Sequence, residues 1–88
     1  MTLKGLKHLT EKEIERMRKV RENLRIEKED KGLLKVLDSY LQDAEHFLKT
    51  GKIIEAFEAI VIVWAYIDAG LKFGVFSIPE KFKDLFTL

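Results

Sequence analysis

Cysteine is absent from the 88 residues, which removes disulfides, thiol nucleophiles and cysteine-ligated zinc together and fits an intracellular chain. Proline occurs once, as Pro79, and the five glycines are scattered, so no glycine-rich phosphate loop is present and little interrupts helices. His8 and His46 are the only histidines, too few for the repeated Glu-x-x-His pattern of di-iron bundles. No serine or threonine stands at a recognisable spacing from a histidine and an acid. The opening MTLKGLKHLTEKE has no continuous apolar core of the signal-peptide kind. The longest apolar run, Ala59 to Ile67, has nine residues, about half of what a membrane crossing needs, and Glu55, Glu58 and Asp68 flank it closely. These absences lead us to expect a cytoplasmic chain with no membrane partner and no cofactor. Asn23 and Gln42 are the only side-chain amides while 35% of residues are charged, a balance that leans toward a thermophilic source.

What is present is apolar and helical in period. With 47% hydrophobic residues, the chain is sized for a single domain over residues 1–88, burying roughly 60 to 65% of its unfolded surface. Net charge is +1 but uneven: residues 1–31 sum to +3 and the remainder to −2. Neither half is polarised enough to require a nucleic acid or a membrane.

The stretch KIIEAFEAIVIVWAYIDAGLKFG, residues 52–74, organises the rest. At about 100° per residue its nine-residue apolar centre covers the whole circumference of a helix instead of one stripe. We expect a third helix over about 52–73, with Ile53, Phe57, Ile60, Trp64, Ile67 and Leu71 inward. A second surface, Ile62, Tyr66, Ala69 and Phe73, lies roughly opposite and requires cover of its own. A second helix over about 32–50 is amphipathic, with Leu33, Leu34, Leu37, Tyr40, Leu41, Ala44, Phe47 and Leu48 on one face. Gly51 occupies the position of a left-handed C-terminal cap, and so short a link makes these two helices antiparallel neighbours. A first helix over about 10–28 has a thin stripe, Ile14, Met17, Val20 and Leu24. Thr10 with Glu13 reads as its capping box and Leu9 with Ile14 as the hydrophobic staple. The polar segment Lys28 to Gly32 reads as the first connection. Gly74 ends the third helix. Ser77, Pro79 and Glu80 suggest another capped start in the segment 75–88, whose Phe76, Ile78, Phe82, Leu85, Phe86 and Leu88 are too apolar to be left in water. The fold expected is an all-α antiparallel three-helix bundle with a short C-terminal helical segment.

Candidate chemistry is sparse. Asp68, near the inward stripe, is able to bind a ligand, but a structural hydrogen bond is the commoner role for such a group. Glu55 and Glu58 form E-x-x-E, a spacing that can hold Mg²⁺. It resembles the acidic pair of helical pyrophosphohydrolases of the MazG type, whose second pair is missing here: downstream stand only Asp68 and the Glu80, Asp84 pair. Asp43 and His46 lie one turn apart on a polar face, short of the three or four ligands that a metal needs. Arg18, Arg21, Arg25 and Lys28 form a basic strip able to contact RNA phosphates, but Glu15, Glu22 and Glu29 interrupt it and no aromatic accompanies it.

The run from Tyr40 to Phe76 carries D-A-x-x-F-L at 43–48, Gly51, E-A-F-E-A-I at 55–60, an aromatic at Trp64, I-D-A-G at 67–70 and a closing G-V-F. In that order these elements resemble the archaeal domain-of-unknown-function family numbered 357. The resemblance implies a short archaeal protein folded as a three-helix bundle, and brings no established activity with it. Val63 departs from the family, which tends to show an aromatic there. The hairpin also resembles one tetratricopeptide unit, but a lone unit makes no solenoid. It is similar to the helical HEPN nucleases too, yet neither histidine has an arginine a few residues before it, as their signature requires.

The all-round apolar helix makes a non-enzymatic interaction module the leading expectation, a homodimer or a complex with an unknown protein partner through Ile62, Tyr66, Ala69 and Phe73. An RNA-associated protein using the basic strip is the alternative. A metal-dependent hydrolase around Glu55, Glu58 and Asp68 comes third.

Overall fold

A computed structural model of the chain describes residues 1–29 and 32–87. Three long helices carry the fold: α1 (Leu3–Glu22), α2 (Leu33–Lys49) and α3 (Ile53–Lys72). Between α1 and α2 lies a two-residue strand, β1 (Arg25–Ile26), and after α3 a second, β2 (Phe76–Ser77), followed by a 3-10 helix, Glu80–Leu85. The fold is all-α in its framework, a three-helix bundle with a short C-terminal helical piece. Arg18 meets Glu45 and Arg21 meets Asp38, so α1 and α2 run antiparallel. The α2–α3 hairpin is antiparallel as well, which leaves α1 and α3 parallel. α3 packs on both other helices, most extensively on α2.

The core explains why α3 is apolar on more than one side. Ile53, Ala56, Ala59, Ile60, Val63 and Ile67 are buried on it, spanning about a third of its circumference by helical spacing, and half-buried Phe57, Ile62, Trp64, Tyr66 and Ala69 widen that arc on both flanks. Ala44 of α2 is also fully buried. With no side chain beyond Cβ on Ala44, Ala56 and Ala59, the hairpin helices can approach closely. α1 contributes Thr10, Ile14, Met17 and Val20, and α2 contributes Leu37, Leu41 and Ala44. Val63, where the resembled family tends to show an aromatic, is completely buried, and Phe76 from the C-terminal segment joins the same cluster.

The exits of α2 and α3 use one device. Gly51 and Gly74 take left-handed backbone angles, φ 79° and 73°, which glycine adopts without a Cβ penalty. Lys52 N–H then donates to Phe47 C=O at 2.8 Å, and Val75 N–H to Gly70 C=O at 2.9 Å, the six-to-one bond of a Schellman ending.

Three local signals are resolved differently from the sequence reading. α1 begins at Leu3, seven residues before the expected start at Thr10, with the Thr2 hydroxyl accepting from Gly5 N–H at 3.0 Å. Thr10 is instead a buried mid-helix residue whose hydroxyl donates to Leu6 C=O at 2.7 Å. A threonine can satisfy its own hydroxyl against the preceding turn, so the same residue serves as a cap or as an interior position according to what packs on it. The far end of α1 is early: it stops at Glu22, not near Lys28. There Arg25 and Ile26 pair antiparallel with Ser77 and Phe76, and Glu27 N–H donates to Val75 C=O at 2.8 Å. That bonding is non-local and leaves no trace in the period of α1. Arg25 is thereby outside the helix on which the basic strip was placed. Ser77 is not a helix cap either: its hydroxyl bonds the Glu27 carboxylate, and Pro79 precedes the 3-10 turn. Residues 30 and 31 of the expected connection, and Leu88 of the C-terminal segment, lie outside the described residues.

Candidate functional site

The C-terminal segment folds back onto the Trp64 and Asp68 flank of α3. Trp64 Nε1 donates to Leu85 C=O at 2.8 Å, and the Trp64 ring stacks on Phe86 with centroids 6.0 Å apart. One turn further along, the Asp68 carboxylate accepts from Thr87 N–H at 2.9 Å and from the Thr87 hydroxyl at 2.9 and 3.0 Å. Lys72 Nζ stands 3.5 Å from the same carboxylate. Phe86 is buried by this docking. Asp68 thus has a structural partner, of the hydrogen-bonded kind that buried polar groups ordinarily find.

The Thr87 backbone N–H holds the Asp68 carboxyl below the ordinary carboxylate range, against the opposing effect of burial, with the Thr87 hydroxyl and Lys72 acting in the same direction. A carboxylate in the last turns of a helix is disfavoured by the helix dipole, so these donors must outweigh that cost. The sign follows: a folded-state pKa below the unfolded value of about 3.9 adds stability above that value, lost as pH falls through the folded one. Asp68→Asn is therefore expected to lower stability by about 1 kcal/mol near neutral pH. The difference from the native chain should close as the solution is acidified below the unfolded carboxylate range, and urea midpoints across a pH series measure it.

Below the docked tail, on the same side, the α1/α3 groove is open. It has a volume of about 260 Å³ and is lined by Leu9, Glu13, Phe57, Ile60, Val61 and Trp64. Ile54 and Val61, seven residues apart on α3, are 59% and 45% exposed. Spacing of seven puts them on one line along the helix. Of the expected surface, Ile62, Tyr66 and Ala69 are half-buried, with the Tyr66 ring 6.0 Å from Tyr40 of α2; Phe73 alone is open, at 74%. The reason is the width of α2, whose Tyr40 overlaps a flank of α3 that helical spacing assigns to the far side. Sequence reasoning passed over Ile54 and Val61 because they belong to neither stripe. Their seven-residue spacing was the available signal.

The remaining candidates are dispersed. Glu55 and Glu58 are exposed on the outer side of α3 and line a shallow depression with Asp43, Tyr40 and Phe47. Among the described residues no three His, Asp or Glu side chains gather where a metal ion could be held. Asp43 and His46 are exposed. In the basic strip, Arg21 binds Asp38 through Nε at 2.6 Å and Nη2 at 3.0 Å, and Arg18 binds Glu45 at 2.7 Å. Two of the four cations thus tie α1 to α2, while Arg25 and Lys28 are exposed beyond the helix. No helix among the described residues is long and apolar enough to cross a membrane.

The profile of a family described as "Protein of unknown function (DUF357)" matches residues 7–76, well over half of the chain. The chain belongs to the DUF357 family. A crystal structure of protein AF1782 from Archaeoglobus fulgidus, carrying the same DUF357 family model, is 26% identical to it. That similarity covers 90% of the present chain and 100% of the other, with a TM-score of 0.80. No curated protein matches it. As a DUF357 protein the chain shares a fold and a family of unknown function, and within that fold its two apolar features of note are the groove beside Val61 and the docked tail above it.

Proposed function

We propose that this DUF357 chain is a non-enzymatic, cytoplasmic interaction module that forms a homodimer through the apolar line of α3. The observation that carries the reading is the open groove between α1 and α3, where Leu9, Phe57, Val61 and Trp64 leave apolar surface uncovered beside exposed Ile54. In a chain this small, apolar surface of that kind costs solubility unless something meets it. A homodimer lays one patch on its own copy about a two-fold axis, so two lines of Ile54 and Val61 would cover each other. Phe73, exposed at the end of α3, extends the same tendency. RNA association through Arg18, Arg21, Arg25 and Lys28 has less support, because Arg18 and Arg21 are already matched by Glu45 and Asp38. A hydrolase around Glu55, Glu58 and Asp68 has less still, with Asp68 engaged by Thr87.

Light scattering over a concentration series tests the proposal. The native chain is expected to rise toward twice its 10.3 kDa mass, and Val61→Glu, which sets a charge into the groove without touching a fully buried position, is expected to remain monomeric. A native chain that stays monomeric at high concentration sinks the homodimer.

A further inference from the structure

The tail reveals what the upper part of α3 is built to hold. Trp64 binds a backbone carbonyl and stacks on an aromatic ring; one turn on, Asp68 binds a backbone N–H and a hydroxyl. Together they make a shelf for an extended peptide whose last three described residues are Leu85, Phe86 and Thr87. Two of these bonds go to main-chain groups and the others to a ring and a terminal hydroxyl, so nothing in the recognition depends on which copy of the chain supplies the segment. We propose that Trp64 and Asp68 form a peptide-binding shelf, filled by the chain's own Leu85–Thr87 in the monomer and by the same segment of a second copy in an exchanged dimer.

Two features of the connecting segment favour the exchange. The last buried residue before Phe86 is Ile78, and the 3-10 helix between them only half-buries Phe82 and Leu85 against the core. Released, the nine steps from Ile78 to Thr87 extend to roughly 30 Å at about 3.3 Å each. The molecule is 25 Å across its middle dimension, so the extended segment is long enough to span that width. Closing onto the chain's own shelf also demands six consecutive residues of 3-10 helix, a length that is uncommon because its hydrogen bonds are poorly aligned. An exchanged tail is relieved of that demand. Against it stands the effective concentration of the attached tail, on the order of millimolar for a short linker, so exchange grows with chain concentration.

This deepens the dimer reading and rests on it, yet it fails separately. Trp64 is the only tryptophan and reports shelf occupancy directly. One full-length chain carries Trp64→Phe and Asp68→Ala, with an intact tail, a broken shelf and no tryptophan. The other carries Phe86→Ala and Thr87→Val, with an intact shelf and a tail stripped of its ring and hydroxyl contacts. Titrating the first into the second is expected to return Trp64 emission to that of the native chain, and to do nothing when the first also carries Phe86→Ala. Unchanged emission at millimolar concentration overturns the exchange. If the tail-broken chain is not helical by circular dichroism, Phe86→Ala alone replaces it, because it removes the ring stacked on Trp64, and the same two outcomes decide. Native self-association that is abolished by Val61→Glu but accompanied by no recovery of emission leaves the groove dimer standing and removes the exchange.

Discussion

Trp64→Ala is expected to destabilise the chain by about 3 kcal/mol, in the lower part of the range for removing a large aromatic from a core. The reduction below the full range follows from position: Trp64 is half-buried, on the flank of α3 instead of its centre. Three losses combine. The indole leaves the wall of the α1/α3 groove, the stacked partner of Phe86 disappears, and Leu85 C=O loses its donor. For a domain of this size about 3 kcal/mol corresponds to a fall in Tm of roughly 12 to 24 °C. Trp64→Phe separates the contributions, since it keeps a ring able to stack while removing the N–H together with part of the indole, and about 1 kcal/mol of its loss is expected from the one hydrogen bond. Chemical denaturation measures both. A loss under about 1 kcal/mol for Trp64→Ala would mean that the tail is not anchored there and that Trp64 belongs to an open binding surface.

Gly70→Ala is the second large effect, and its sign runs against local propensity. In an exposed helix interior the change from glycine to alanine gains about 1 kcal/mol. Here a Cβ at position 70 would stand 2.7 Å from Cε2 of Phe76, and closer still to Cδ2. Phe76 is 2% exposed and pairs with Ile26 in the β ribbon, so its ring is enclosed and its backbone is held. Overpacking a dense site typically costs about 1 to 3 kcal/mol, and a net destabilisation of about 1 kcal/mol, at most about 2 kcal/mol, is expected once the helix gain is subtracted. Combining Gly70→Ala with Phe76→Leu should recover part of that loss, a non-additivity that a double-mutant cycle in urea detects. A stabilised Gly70→Ala chain would show that the ring of Phe76 does not lie on α3.

Gly70 illustrates how a sequence conceals a contact. It sits inside I-D-A-G, reads as a helix position slightly worse than alanine, and gives no hint that a phenylalanine six residues later turns back onto it. The helices themselves were legible wherever one face repeats: the α2 stripe and the α2–α3 hairpin follow from Leu37, Leu41, Ala44 and Gly51, because periodic burial and a left-handed glycine are properties of neighbouring residues. The start of α1 was not, since Thr10 fits a cap and a buried interior position equally well until Ile14, Met17 and Val20 place it beside the core. Neither was the candidate surface. Helical spacing ranks Ile62 and Tyr66 as far-side residues, but it carries no information on how far around α3 its neighbour extends, and Tyr40 covers them while Val61 and Ile54 stay open.

By itself the sequence determined an all-helical bundle, the antiparallel hairpin at Gly51 and the central place of the apolar helix, all of which rest on period, caps and local composition, while the order of motifs from Tyr40 to Phe76 carried the family resemblance. Only the tertiary structure decided where α1 begins and ends, which flank of α3 remains bare and where the tail docks. Those outcomes depend on pairings across long stretches of chain: Arg25 with Ser77, Arg21 with Asp38, Asp68 with Thr87. The free energy of such pairings belongs to two distant residues at once, and no pattern along a single segment records it.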